Sequence, residues 1–428
     1  MRNVGIIAEY NPFHRGHDGQ IRYLREQGAQ NIIIVLSGCF VQRGAPAWTD
    51  KYLRTQMALE QGADFVFELP SVYALSSAEG FAFGGVSLLN ALSVDHLCFG
   101  SECGNISALQ QIADILCENK EIDDLLRTKL QEGLSYPAAR EFAIKTMHPE
   151  LLKDIPDLIS NPNNILGIEY LKALKKLNSS ITPVTITRTD AGYHNTDFHA
   201  DIKASNYCVS ASAIRAHFEK THSLNDCQTI LPERTYQLLQ AKPQRFPISI
   251  DDFSPMIYTF LRMADETNTL AMYGEITEEL ARRIHHCLPD FQTISQFIPR
   301  LKTKNITYSH ISRSFFQSLL GMKKGQFDTS NTPVPYARLL GMNPQKSSYL
   351  RSISSIPVIT KVADYDQILC HHYSDKTDYQ FAKSCFRKDL LAADLYRQTL
   401  YTRNNYLIPD EYRHGIVFPE GTQNQEQP

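Results

Sequence analysis

The segment 5–17, which reads GIIAEYNPFHRGH, constrains this chain more than any other stretch. The apolar residues 4–8 predict a buried strand, the following Asn-Pro pair predicts a break, and Gly16 lies where a helix begins. His14 and His17 therefore lie three residues apart at a strand-to-helix turn. The first N–H groups of a helix are unpaired and carry positive potential, so this turn suits an anion such as a polyphosphate. Two imidazoles there can hydrogen-bond phosphate oxygens, while Gly16 lets the backbone approach closely.

Short apolar runs alternate with longer mixed segments over the first hundred residues. Strands are predicted at residues 4–8, 31–36, 65–68 and 96–99, and helices at residues 16–27, 51–61 and 78–92. This order predicts a parallel sheet with crossover helices, and ligands of such sheets bind at the carboxyl ends of the strands. Three further turns are expected on the same edge as the two histidines. They are Ser37-Gly38, Leu69-Pro70 and Gly100-Ser101-Glu102.

The pattern becomes mainly helical after residue 106. One more strand is predicted at residues 184–187, and the segment 209–215, VSASAIR, opens a helix with two serines that can cap it. We place a domain boundary near residue 230. Residues 1–230 are predicted to form an α/β nucleotide-binding domain, and residues 231–428 a mostly helical domain.

Composition limits the class of protein. The 428 residues carry a net charge of −3, which excludes a globally basic nucleic-acid binder but not a local basic face. No apolar run reaches the roughly 20 residues of a membrane span, and the start does not resemble a signal peptide. The nine scattered cysteines form no CxxC pair, so reduced thiols fit better than a zinc site. We expect a cytoplasmic protein without a membrane partner or bound zinc.

The string HRGH after a first strand resembles the HxGH signature of the nucleotidylyltransferase superfamily, which includes class I aminoacyl-tRNA synthetases. The wider set of motifs is similar to that of the bacterial tRNA(Met) cytidine acetate ligase family, densely over residues 1 to about 220 and more thinly to about 355. In order, these motifs are GIIAEYNPFHRGH, SGCFVQRGAPA, DKYLRTQMALEQGADFVFELP, ALSSAEGFAFGGVSLLNAL, CFGSE, NPNNILGIEYLKAL and VSASAIR.

The resemblance implies a fold and an activity. The fold is a Rossmann-like nucleotidylyltransferase α/β sheet with helices on both faces, followed by a mostly helical, tRNA-binding domain. The activity is ATP-dependent activation of acetate as acetyl-AMP, followed by acetyl transfer to N4 of the wobble cytidine of elongator tRNA(Met). Whether magnesium accompanies ATP stays open, because nothing in the sequence shows that Glu9 or Glu102 binds it.

The resemblance also implies which residues bind ATP, with His14 and His17 on the triphosphate. The implied residues are Ile7, Ala8, Glu9, Tyr10, Asn11, Pro12, Phe13, His14, Gly16 and His17, then Gly100, Asn164, Arg188, Thr189, Ser210 and Ser212. Ordinary alternatives exist: Asn164 could cap a helix, Arg188 could form a surface ion pair, and the two serines could be a plain N-cap. No KMSKS-like string appears, which argues against a full synthetase.

Acetyl transfer to an amine requires a hydrogen-bond donor for the carbonyl oxygen. Ser37 or the Gly38 N–H could provide it, and Lys51 could stabilise a phosphate or the acetate carboxylate. Together with His14 and His17, Ser37 and Lys51 are the expected catalytic residues. The alternative for Lys51 is a solvated helix residue.

Arg313, Lys323 and Lys324 are the expected tRNA contacts. They lie in a stretch where basic residues outnumber acids and where aromatic residues interleave with them, as an RNA-binding surface requires. The interleaved aromatic residues are Phe297, Tyr308, Phe315 and Phe316. A solvated helical face beside a core stripe is the alternative.

Two other functions stay open from the sequence alone. A nucleotidylyltransferase that adenylates a small phosphate-bearing cofactor precursor shares the HxGH chemistry, but such enzymes are often near half this length. An RNA-binding or assembly factor with a degenerate nucleotide fold would have no need of both phosphate elements, the histidine pair and the serine pair.

Overall fold

A seven-stranded sheet forms the centre of the computed structural model, which describes residues 1–134, 136–149, 157–188 and 209–420. The strands are β1 (Asn3–Ala8), β2 (Asn31–Ser37), β3 (Phe40–Val41), β4 (Ala45–Pro46), β5 (Phe65–Leu69), β6 (His96–Ser101), β7 (Thr182–Thr187), β8 (Ala337–Met342) and β9 (Val358–Ile359). The order in the large sheet is β7-β6-β1-β2-β5-β8-β9, and β3 and β4 form a separate hairpin.

Helices cover both faces of the sheet and make up most of the second half. The first eight are α1 (Arg15–Glu26), α2 (Lys51–Glu60), α3 (Ser71–Ala74), α4 (Ala78–Ala91), α5 (Ile106–Glu118), α6 (Lys120–Gln131), α7 (Tyr136–Met147) and α8 (Pro162–Lys176). The others are α9 (Ala211–Thr221), α10 (Glu233–Ala241), α11 (Ser254–Glu266), α12 (Glu278–Cys287), α13 (Ile294–Leu301), α14 (Tyr308–Leu319), α15 (Tyr365–His372) and α16 (Lys376–Asn404). None of the helices in the described residues is long and apolar enough to cross a bilayer.

The predicted doubly covered parallel sheet is confirmed, and β1 lies at its topological switch point. Strand β1 pairs in parallel with β2 on one side and with β6 on the other. In such a sheet, the crevice at the carboxyl ends of the two strands flanking the switch point is where ligands bind. The HRGH segment follows β1 directly, so the fold places it at this crevice.

Alternate residues of β1 pack on opposite faces of the sheet. Val4 and Ile6 join the buried cluster that includes α1 and α2. On the other face, Gly5 and Gly85 let β1 and α4 approach closely, because a Cβ on Gly85 would lie 2.6 Å from Cδ1 of Ile7. This close packing fixes the strand that leads into the histidine motif.

The second half of the chain completes the sheet. Strand β8 pairs antiparallel with β5, and β9 pairs with β8 in parallel. Helix α14 also reaches the first half, because the Ser312 hydroxyl donates a hydrogen bond to the Gly44 carbonyl oxygen. Gly44 has a φ of 76°, and the α14 backbone leaves no space for a Cβ there. The mostly helical second half is confirmed; the boundary near residue 230 stays a prediction, and the sheet draws strands from both sides of it.

A buried cluster of four charges joins distant parts of the chain. The Lys51 ammonium lies 2.8 Å from Glu68 and 2.9 Å from Glu411, and Arg338 pairs with both carboxylates. All four side chains are at most 6% exposed. Burial and Arg338 oppose the Lys51 charge, but the two carboxylates outweigh them and raise the pKa of Lys51. The cluster therefore ties α2, β5, β8 and the C-terminal segment together.

Removing one carboxylate from this cluster should destabilise the protein strongly. Glu411→Leu leaves two buried cations facing one carboxylate, so the free energy of unfolding should fall by about 3–5 kcal/mol. Urea denaturation monitored by circular dichroism measures it. Glu420→Leu is the control, since Glu420 pairs with Arg234 at a half-exposed site, and it should cost less than about 1 kcal/mol. If both variants lower the free energy of unfolding by the same small amount, the cluster has no structural role.

Candidate active site

His14 and His17 cap the start of α1 with each other. His14 is the N-cap residue, and its Nδ1 accepts a hydrogen bond of 3.1 Å from the Gly16 N–H. In return, Nδ1 of His17 accepts a hydrogen bond of 3.2 Å from the His14 N–H. The two rings are stacked, with 3.7 Å between their centroids and 29° between their planes. The reciprocal cap therefore fixes both rings at the carboxyl end of β1.

These hydrogen bonds determine the tautomer of each ring. A nitrogen that accepts a hydrogen bond carries no proton, so each Nδ1 is unprotonated and each Nε2 carries the N–H. Burial, and then Arg188 and Arg215, lowers the pKa of His14 to about 3. Burial, His14 and Arg188 lower the pKa of His17 well below its usual range. Both imidazoles are thus neutral at pH 7 and act as Nε2–H donors rather than as cations.

The positive charge of the site comes from two arginines. Arg188 follows β7, donates a hydrogen bond of 3.4 Å to Asn163, and acts electrostatically on both histidine rings. Arg215, in the first two turns of α9, donates to the Asn11 carbonyl oxygen. A Cβ on Gly100 would lie 3.0 Å from Cγ of Arg188, so the bare glycine gives this side chain room at the end of β6.

Asn164 joins the end of β6 to the start of α8. Its Oδ1 accepts hydrogen bonds of 3.0 and 3.1 Å from the N–H groups of Glu102 and Cys103. The Glu102 carboxylate accepts in turn from the N–H groups of Asn163 and Asn164. Asn164 is fully buried, and its Nδ2 has no partner among the described residues. It is not the N-cap, which is Asn161, and it keeps a donor that a nucleoside acceptor would satisfy.

The serine pair lies at the start of α9. Ser210 is the N-cap, and its Oγ accepts a hydrogen bond of 3.2 Å from the Ala213 N–H. Ser212 is exposed in the first turn. Because Arg215 contacts the backbone of Asn11, this helix N-terminus lies beside the histidine motif. The structure thus brings the two predicted phosphate elements together.

The other residues of the first motif mainly support the histidines. The rings of Tyr10 and Phe13 are buried, and their centroids lie 4.7 and 5.4 Å from that of His17. Asn11 Oδ1 accepts a hydrogen bond of 2.7 Å from the Trp48 N–H. Glu9 Oε1 accepts one of 2.8 Å from the Gln42 N–H. Ile7 and Ala8 end β1, and Pro12 is buried within the turn.

Arg54 is a buried cation that sequence reasoning missed. Its guanidinium donates to the carbonyl oxygens of Glu9, Ser37, Gly38 and Thr49. It therefore holds the segments after β1 and β2 in fixed relation. The sequence signal for Arg54 is weak: it is the single arginine of α2, and most residues of that helix are buried in the structure.

Ser37 and Lys51 are both buried. Ser37 is fully buried at the end of β2, and its Oγ has no partner among the described residues. Lys51 directs its ammonium into the buried ion cluster, towards Glu68 and Glu411. Glu68 lies against Gly38, where a side chain would meet its Oε1. Lys51 is therefore not the solvated residue that was its alternative, and its catalytic role stays a prediction.

The predicted tRNA contacts differ in accessibility. Arg313 is 9% exposed and pairs with Glu275 at 3.0 Å, whereas Lys323 and Lys324 are exposed on the turn after α14. Of the ATP-binding set, Thr189 lies outside the described residues. No three His, Cys, Asp or Glu side chains in the described ranges are grouped to hold a metal ion.

The histidine geometry predicts an unusual titration. In the ligand-free protein both rings should stay neutral, with the proton on Nε2, from pH 7.5 down to pH 5. As the pH falls below 6.5, these histidines become protonated in the unfolded chain but stay neutral in the folded protein. They therefore lower the free energy of unfolding as the pH falls towards 3. Long-range ¹H–¹⁵N NMR of the ring nitrogens measures both properties, with the urea-unfolded chain as reference. An imidazolium spectrum at pH 6 for either residue would contradict this assignment.

Comparisons with known proteins identify the family of this chain. The model of the HIGH Nucleotidyl Transferase family matches residues 1–408. The tRNA(Met) cytidine acetate ligase of Thermosipho melanesiensis is 35% identical, over 97% of this chain and 99% of its own length. The protein of that name from Clostridium kluyveri is 39% identical over 85% of this chain and 90% of its own.

Solved structures match over nearly the whole chain. Thermotoga maritima TmcAL bound with alpha-thio ATP matches with a TM-score of 0.87 and 29% identity, covering 98% of this chain and 100% of the other. The apo form I of the same protein matches with a TM-score of 0.88 and 30% identity, at the same coverage. The superfamily predicted from the HRGH string and the ligase family predicted from the wider set of motifs are both confirmed. The chain belongs to the tRNA(Met) cytidine acetate ligase family of HIGH nucleotidyl transferases.

Proposed function

We propose that this protein activates acetate with ATP as acetyl-AMP and transfers the acetyl group to N4 of the wobble cytidine of elongator tRNA(Met). The observation that carries the proposal is the stacked pair of neutral histidines at the N-terminus of α1, with Arg188 and Arg215 beside it. Membership of the ligase family and the likeness to a structure bound with alpha-thio ATP support it.

In the first step, an acetate oxygen forms a bond to the α-phosphorus of ATP, and the bond from that phosphorus to the bridging oxygen of pyrophosphate breaks. Negative charge grows on the departing pyrophosphate, so donors fixed in advance near it accelerate the reaction. The Nε2–H groups of His14 and His17 and the N-terminus of α9 are proposed to supply such donors. The unpartnered Nδ2 of Asn164 is proposed to bind the adenosine.

In the second step, N4 of the cytidine attacks the acetyl carbonyl carbon, the bond to AMP breaks, and the amine loses a proton. The developing oxyanion needs a donor, for which the Ser37 hydroxyl and the Gly38 N–H stay the proposed groups. Lys51 is proposed to act indirectly, since it holds Glu68 against the Gly38 backbone.

The variant His17→Asn tests the proposed phosphate contact of His17 while it keeps the cap of helix α1. The Asn Oδ1 can occupy the place of Nδ1 and accept from the His14 N–H, whereas no group replaces the Nε2–H. The melting temperature should stay within a few degrees, while formation of N4-acetylcytidine should fall at least about 100-fold. Mass spectrometry of digested tRNA measures the product. A folded variant with wild-type activity would contradict the phosphate role of His17.

The proposed activity itself has a direct test. The protein is incubated with ¹⁴C-acetate, ATP and total tRNA, and the tRNA is digested to nucleosides. We expect label in N4-acetylcytidine from elongator tRNA(Met), and none when ATP is omitted. Label transferred only to a small phosphate-bearing acceptor would support the cofactor-forming alternative instead.

Lys323 and Lys324 are proposed to contact tRNA phosphates. Arg313 is buried and paired with Glu275, whose pKa burial would raise, but His310 and Arg313 lower it to about 2. We therefore assign Arg313 a structural role, as the partner of Glu275. Lys323→Glu with Lys324→Glu should weaken tRNA binding and reduce its salt dependence. Binding titrations at several salt concentrations measure this, and unchanged affinity throughout would refute the assignment.

A further inference from the structure

A group of five cations lies where the turn after α14 packs against α16. We call this the α16 basic face; its members are Lys323, Lys324, Lys383, Arg387 and Lys388. The last three, with Gln380, Ser384 and Leu391, line a hollow of about 520 Å³. This part of α16 belongs to the C-terminal stretch for which no sequence motif predicted a role.

The turn is fixed against the helix by several contacts. The Lys388 ammonium donates hydrogen bonds of 2.8 and 3.1 Å to the carbonyl oxygens of Leu320 and Gly321. Gln326 donates to the Ser384 hydroxyl, and the rings of Phe327 and Phe381 lie 6.1 Å apart. The exposed lysines of the turn and the cations of α16 therefore form one surface with a defined arrangement.

Acids compensate this charge only in part. Lys383 pairs with Asp366 at 2.8 Å. The other four cations have no carboxylate partner in the part of the chain that the structure describes. Burial lowers the pKa of Lys388, and the nearby charges of Arg387 and Lys323 act in the same direction. Such a surface favours a polyanion, which relieves the repulsion and releases its own counterions.

A series of contacts connects the helix before the face to the histidine motif. Helix α14 contacts the hairpin residue Gly44 through Ser312, and Gln42 of the same turn region binds Glu9 at the end of β1. At 1.5 Å per residue, α14 covers about 10 Å from Ser312 to its end at Leu319, and the turn that carries Lys323 and Lys324 follows. A tRNA with one nucleotide at the ATP site would have to reach the face with its neighbouring phosphates.

We infer that the α16 basic face binds the phosphate backbone of the tRNA stem next to the anticodon, while the wobble cytidine enters the ATP site. This inference rests on the proposed function. It assigns a role to Arg387, Lys388 and Lys383 in addition to the two lysines of the turn. The hollow has only Leu391 as an apolar lining residue, so contacts there would be with phosphates rather than with stacked bases.

Arg387 is the residue to change, because it is exposed and makes no structural hydrogen bond in the described residues. Arg387→Glu should weaken tRNA binding on the order of five- to tenfold at 0.1 M salt and lower the salt slope by about one. Arg387→Lys should restore most of the affinity. Lys145→Glu on α7, a half-exposed cation, is the matched control and should bind tRNA normally. All variants should share the wild-type melting temperature.

Steady-state acetylation separates this inference from the proposed function. For Arg387→Glu, KM for tRNA should rise while kcat at saturating tRNA is retained. If the wild type acetylates tRNA but Arg387→Glu binds tRNA with normal affinity, the role of the face is wrong and the proposed function is unaffected. The same conclusion follows if Lys145→Glu loses as much tRNA affinity as Arg387→Glu. If tRNA binding depends on Arg387 but the wild type forms no N4-acetylcytidine, the proposed function is wrong and the role of the face is unaffected. Loss of affinity for polyglutamate but not for tRNA would assign the face to an acidic protein instead.

Discussion

The reciprocal hydrogen bonds between His14 and His17 are the constraint on which the site depends. Each Nδ1 accepts a backbone N–H of the first turn of α1, and this fixes the ring position, the tautomer and the charge at once. The chain therefore offers neutral donors where a cation pair would have been the simpler expectation for a polyphosphate. Positive charge is supplied separately, by Arg188 and Arg215, and the arginines help to keep the imidazoles neutral.

Much of the surrounding structure keeps this turn in place. Arg54 joins the ends of β1 and β2 through three carbonyl oxygens, and the Trp48 N–H donates to Asn11. The hairpin that follows β2 is held in turn by α14. The second half of the chain is thus part of the scaffold of the active site as well as the proposed RNA-binding region. The buried charges of Lys51, Glu68, Arg338 and Glu411 extend the same connection to the C-terminal segment.

Local patterns predicted the first half of the fold well. Strands β1, β2, β5, β6 and β7 and helices α1, α2 and α4 each occur within one or two residues of the predicted bounds. Each of these elements has a periodic apolar pattern or a capping residue of its own, so residues close in sequence are enough to identify it. Strand β8 was missed because its partner β5 is about 270 residues away, and the short segment ARLLGM shows no alternation of its own. The site shows the same limit of sequence-based prediction. The turn with the two histidines could be predicted from local sequence, whereas the buried partners of Lys51, Arg54 and Arg313 lie in other segments of the chain.

We propose that the histidine turn binds ATP for reaction with a carboxylate. The most direct measurement is the exchange of ³²P-pyrophosphate into ATP without RNA. We expect exchange that requires acetate, since attack on the α-phosphate releases pyrophosphate reversibly. Exchange that proceeds equally without acetate, or that appears only with a phosphorylated acceptor, would contradict it.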